Sequence, residues 1–144
     1  MAWTNPPPLI EHLLDAPALA LLARIGLTCA YWWGGLAKLA DFAGARAEAA
    51  HFFGAGPATS IAVATIVVEL VASGLLIAGR LAWLAAGALV VFTAIATYVA
   101  HDFWNAQDPA VHFREFNIFL EHVGLIGGLA LAAILACRQS PEPR

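Results

Sequence analysis

The residues able to do chemistry in this chain cluster at the ends of apolar runs, with one exception. Lys38 and Asp41 close one run, His101 and Asp102 close another, and Arg114, Glu115, Asn117, Glu121 and His122 open a third, while Glu69 lies inside a fourth. Ammonium and imidazole N–H groups can hydrogen-bond the oxygens of a ligand, and carboxylates can accept or relay its protons. The candidate ligand-binding set is therefore Lys38, Glu69, His101, Asp102, Asn117, Glu121 and His122. On the last run, Arg114, Asn117, Glu121, Gly124 and Gly128 recur at helical spacing and fall on one stripe, with His122 on the neighbouring side. The small residues of that stripe mark it as a packing face, so Glu121 is expected to point into the protein.

Three readings compete for these groups. In the first, Lys38 and Arg114 neutralise Asp102, Glu121 or Glu69 in an ion-pair network that only fixes helix register. In the second, the same groups line a pocket that holds the polar end of a lipophilic molecule such as a quinone. In the third, His101, His122 and Glu69 or Glu121 bind zinc, iron or copper, although no short-range pair such as HxxxH supports a metal site. His51 and His112 read as solvated loop residues, and Arg24 as a long side chain snorkelling toward headgroups. Cys29 and Cys137 have no CxxC spacing and read as small apolar filler, which argues against disulfide exchange by the chain's own thiols.

The elements that must position these residues are membrane spans. Hydrophobic residues make up 61% of the 144-residue chain and charged residues 12%, with a mean hydropathy of +0.77; soluble domains are about 45–50% apolar and about 25% charged. From Ala58 to Ala100 only Glu69 and Arg80 are charged, and Arg80 divides this stretch into two segments of the length a helix needs to cross a ~30 Å hydrocarbon core. A carboxylate as deep as Glu69 costs roughly 2.5 to 3.5 kcal/mol on insertion scales, so it requires a partner and a cavity or helix interface. Four spans are expected, at about 18–39, 58–79, 81–100 and 116–136, with loops at 40–57 and 101–115. The fold class is an all-α polytopic membrane protein, a four-transmembrane-helix bundle. Its domains are an N-terminal interfacial segment over 1–17, the transmembrane domain over 18–137 and a tail over 138–144. In the first of these, Leu9, Ile10, Leu13 and Leu14 recur at helical spacing as in a short helix lying along the membrane surface.

The net charge of −3 and the lack of a basic run argue against a nucleic-acid partner. The N-terminus has no basic n-region and reads poorly as a signal peptide. Arg80, Arg138, Arg144 and Arg24 against Lys38, Arg46 and Arg114 give a slight lean toward cytoplasmic termini. Trp32, Trp33, Trp83 and Trp104 fall near span ends, as in an interfacial belt. A similar polar exit after the first and third spans, each followed by a glutamate in the next span, hints at a duplicated helical hairpin.

The sequence resembles the DoxX family of small four-helix membrane proteins over about Leu22 to Ala133. The resemblance is carried by Arg24-Ile-Gly, Gly35-Leu-Ala-Lys38-Leu-Ala-Asp41-Phe42, Glu69-Leu, His101-Asp102-Phe103-Trp104 and Phe116-Asn117-Ile118-Phe119 before a glycine-rich last span. Family members often carry Lys-Asn where this chain has Glu121-His122, so a role for that lysine does not transfer. The resemblance implies a redox-associated subunit, linked in some relatives to thiosulfate oxidation with quinone as acceptor and to thiol or oxidative-stress systems. A bacterial inner membrane, a protein partner in a redox complex and a homo-oligomer as a further option are the accompanying expectations. No flavin, haem-attachment or iron–sulfur motif is visible, so the chain is expected to carry no tightly bound cofactor beyond an exchangeable quinone. A non-enzymatic membrane scaffold or assembly factor, and a small-molecule or metal transporter, are the alternatives.

Overall fold

A computed structural model describes residues 6–139. Of the sequence-based expectations, the first five residues of the N-terminal segment, the end of the C-terminal tail and Arg144 lie outside the described residues. The chain runs α1 (Pro8–Leu14), α2 (Pro17–Leu27), α3 (Cys29–Ala40), α4 (Phe42–Phe53), α5 (Ala58–Val67), a π turn (Val68–Ala72), α6 (Ser73–Ile77), α7 (Ala82–Ala100), a 3₁₀ turn (Phe103–Asn105) and α8 (Pro109–Gln139). Among the described residues three helices are long and apolar enough to span a membrane: Ala58–Ile77, the helix that begins at Ala82, and α8. The bent pair α2 and α3 would supply a fourth span.

The first span departs from the single helix expected over 18–39. It breaks at Thr28, and the two halves meet at 53°. Thr28 is fully buried and its hydroxyl donates to the Arg24 carbonyl at 2.8 Å. A threonine bonding back to the preceding turn competes with the helix ladder and bends it. Its backbone, at φ −100° and ψ 4°, has left the helical region.

The expected 40–57 loop is mostly helix. Asp41 caps α4, its carboxylate accepting the Gly44 N–H at 2.9 Å, and the alanine-rich sequence that follows has high helix propensity. Ala45 and Ala49 of α4 pack on Ala58 and Ala62 of α5, a contact in which small side chains let two helices lie close. Asp41 is thereby a cap rather than a member of a ligand site. The last helix also starts before the expected 116. Pro109 occupies its first turn, and Asp108 accepts the N–H groups of Ala110 and Val111 at 2.8 and 3.1 Å.

The dense part of the core lies toward the end of the bundle that carries the Gly79–Leu81 turn. Tyr31, Leu76, Ala85, Ala86, Leu89 and Leu129 meet there, with Leu76 only 1% exposed and Leu89 and Leu129 fully buried. The turn itself uses left-handed backbone at Gly79 (φ 69°) and Leu81 (φ 49°). At the other end the bundle splays: α7 packs along the π turn and α6 but makes no comparable contact with α5. α8 lies along α7 and touches α2.

Candidate functional site

The splay leaves a cavity of about 420 Å³. One wall is α3 with α5 and the π turn, contributing Tyr31, Lys38, Ile61, Thr65 and Glu69; the opposite wall is α7 with α8, contributing Phe92, Thr93, Thr97, His101, His122 and Leu125. α4 adds Glu48, Phe52 and Phe53, and Ile95 and Val99 of α7 also face it. Ile61, Phe53 and Ile95 are only partly covered, so the cavity reaches the apolar outer surface between α5 and α7.

Glu69 is 5% exposed, and its carboxylate receives the Lys38 ammonium at 3.0 Å on one oxygen and 3.3 Å on the other. Two features of the backbone allow this pairing. The π turn inserts one residue into the second span at Val68–Ala72, which changes the direction in which Glu69 points; such insertions in helices are frequent at functional sites. Gly35 lets α3 approach it: a Cβ there would stand 2.8 Å from Leu70 Cγ and 3.2 Å from Glu69 Cβ.

The floor of the cavity is a hydrogen-bonded file of hydroxyls. The Tyr31 hydroxyl meets Thr93 Oγ1, Thr93 donates to the Leu89 carbonyl at 2.6 Å, and Thr97 donates to the Thr93 carbonyl at 2.6 Å. Phe92 stands edge-on to Tyr31, with ring centroids 6.3 Å apart. On the α7–α8 wall, His101 Nδ1 is 2.8 Å from Glu115 Oε2, and the other oxygen of Glu115 takes two N–H groups of Arg114 at 2.9 and 3.1 Å. The His101 and His122 rings lie 5.0 Å apart. His122 Nδ1 is buried and has no hydrogen-bond partner.

Four of the expected residues thus line one cavity: Lys38, Glu69, His101 and His122. The other three do not. Asp102 is exposed and accepts from Asn105 Nδ2 at 3.0 Å, and Asn117 donates to the Phe113 carbonyl at 2.9 Å. Glu121, expected to face inward, is exposed, and the inward position belongs to its neighbour His122. One residue turns a helix by about 100°, and the inner row of α8 is His122, Leu125 and Leu129. The glycine stripe misdirects because nothing lies within 4 Å of a Cβ built at Gly124, and Gly128 meets only Leu27. Arg114 pairs with its neighbour Glu115 rather than with Glu69, Asp102 or Glu121.

Among the described residues no group of three or more His, Cys, Asp or Glu is arranged to hold a metal ion. Glu69 is engaged by Lys38, and Glu121 faces away from His101 and His122. Cys29 and Cys137 are free and exposed. Sequence reasoning missed Glu48, which arrives on the unexpected helix α4, and the polar floor of Tyr31, Thr93 and Thr97. The i, i+4 repeat of Thr93 and Thr97 within an apolar span was the available signal.

The family model described as DoxX matches residues 19–102. The chain belongs to the DoxX family. The DoxX match runs from the first turn of α2 through α7, and so includes the break at Thr28, the Lys38–Glu69 pair, the Tyr31–Thr93–Thr97 floor and His101. α8 with His122 lies beyond the matched segment. No curated protein and no solved structure matches the chain.

Proposed function

We propose that this DoxX-family membrane protein is a redox-associated subunit that binds a quinone-like lipophilic molecule in the cavity between the α3–α5 and α7–α8 walls. The observation that carries the reading is the placement of polar groups on both walls of a cavity open to the apolar outer surface. Lys38 and Glu69 stand on one side, and His101 and the unpartnered Nδ1 of His122 on the other. Phe52, Phe53, Phe92 and Ile61 offer apolar and aromatic surface to a ring and its tail. Oxygens at opposite ends of a flat ring would reach Lys38 on one wall and the His122 imidazole on the other, with Glu69 accepting or relaying a proton. Electrons would come from a partner protein or a thiol substrate. A bacterial inner membrane with cytoplasmic termini is the proposed setting, on the small excess of basic residues at the terminal end of the bundle.

A scaffold whose buried charges only fix packing is the competing reading, and the mutual satisfaction of Lys38 and Glu69 favours it at that pair. His122 favours the ligand reading, since register-fixing leaves no reason for an imidazole nitrogen buried without a partner. The test is a titration of purified protein in lipid nanodiscs with a short-tailed quinone analogue, alongside Glu69→Gln. Saturable binding weakened by about tenfold or more in the variant supports the proposal. Absence of saturable binding by folded wild-type protein overturns it in favour of the scaffold.

A further inference from the structure

The hydrogen-bonding capacity of the cavity is unbalanced, and from this we infer that the reduced, hydroxyl-bearing form of a quinone couple is the preferred ligand. The inference rests on the quinone-binding reading and sharpens it. Each hydroxyl on the cavity floor has one hydrogen to give, and for the two threonines a carbonyl acceptor fixes the direction. Thr93 gives its hydrogen to the Leu89 carbonyl at 2.6 Å, so in the contact with Tyr31 the tyrosine is the donor and Thr93 the acceptor. Thr97 gives its hydrogen to the Thr93 carbonyl at 2.6 Å. Tyr31 and Thr97 therefore present only lone pairs to a ligand.

The imidazole wall leans the same way. Glu115 is held by Arg114 through one oxygen and meets His101 Nδ1 through the other, at 2.8 Å. A carboxylate can only accept, so His101 carries a hydrogen on Nδ1, and the neutral tautomer this contact selects has an acceptor at Nε2. Glu48 adds a carboxylate at the edge of the cavity. Against these acceptors the dedicated donor is Lys38, already in contact with both oxygens of Glu69. His122 Nδ1 and the Thr65 hydroxyl can serve in either role.

A quinone carries only carbonyl acceptors, and toward Tyr31, Thr97 and His101 it would set lone pair against lone pair. A quinol brings two O–H donors to the same acceptors and still accepts from Lys38. One net hydrogen bond gained in a buried site corresponds to about a tenfold tighter dissociation constant. Binding the reduced form about tenfold more tightly raises the two-electron potential of the bound couple by about 30 mV.

The experiment is an anaerobic calorimetric titration of the protein in nanodiscs with a decyl-substituted benzoquinol and, separately, its matching benzoquinone. Tyr31→Phe and Thr97→Val each delete one acceptor with little change of shape. The expected result is quinol bound about tenfold more tightly than quinone, with the gap narrowed in at least one variant. Quinone bound as tightly as quinol, or a gap unchanged in both variants, overturns the inference while leaving the cavity a quinone site. Neither ligand binding overturns the reading beneath it as well.

Discussion

Removing Lys38 should destabilise the protein more than removing Glu69, because the two partners differ in burial. The Glu69 side chain is 7% exposed and that of Lys38 is 23% exposed. At 3.0 Å and an effective dielectric of about 20, their attraction is roughly 5.5 kcal/mol before desolvation is subtracted. In Lys38→Met the carboxylate stays buried without its ammonium, and leaving one charge of a buried pair unpaired costs about 3–5 kcal/mol. In Glu69→Gln the ammonium sits on a longer, more exposed chain that can swing toward water, so a smaller loss of about 1–2 kcal/mol is expected. The double variant should lose about 1–2 kcal/mol, well short of the sum, since no unpaired charge remains. Unfolding by SDS titration in mixed micelles measures all four corners of this cycle. Equal small losses that simply add would refute the reasoning and make the contact a solvated surface pair.

Three further outcomes follow from the packing. Gly35→Ala should lose about 1–3 kcal/mol in the same assay, since its Cβ would lie 2.8 Å from Leu70 Cγ, and Leu70→Ala should recover part of that loss. Glu121→Gln should change stability by less than about 0.5 kcal/mol and leave quinone-analogue affinity unaltered, as befits an exposed residue; His122→Phe should weaken that affinity by about tenfold. Asp41→Ala deletes the cap of α4 and should lose about 1 kcal/mol, with increased amide exchange over the first turn of that helix.

The sequence carried the coarse architecture because the bilayer constrains it strongly. Long apolar segments have few ways to satisfy their backbone in lipid, so three spans and the apolar stretch of the α2–α3 pair could be read from hydropathy, though not its bend. Glu69 was legible for the same reason: a lone acid deep in an apolar segment demands a partner, and Lys38 lies at the end of the preceding span. What escaped was phase and local hydrogen bonding. The π turn leaves no compositional mark, and it redirects Glu69. Thr28 reads as an ordinary span residue until its hydroxyl is seen bonding backward to Arg24. α4 has too weak an apolar periodicity to stand out from a loop, so Glu48 went unnoticed. Glycines at 124 and 128 promised close packing without saying from which side, and that ambiguity of one residue exchanged the roles of Glu121 and His122.

The most direct measurement is photoaffinity mapping in lipid with an azido-quinone, followed by mass spectrometry of the labelled peptides. Label is expected on cavity-lining residues of α3, α4 and α7, including the segments that carry Lys38, Phe52 and Thr97, with protection of those sites by excess unlabelled analogue. Label confined to outward residues such as Leu131 and Leu135 of α8, unprotected by competitor, would contradict it.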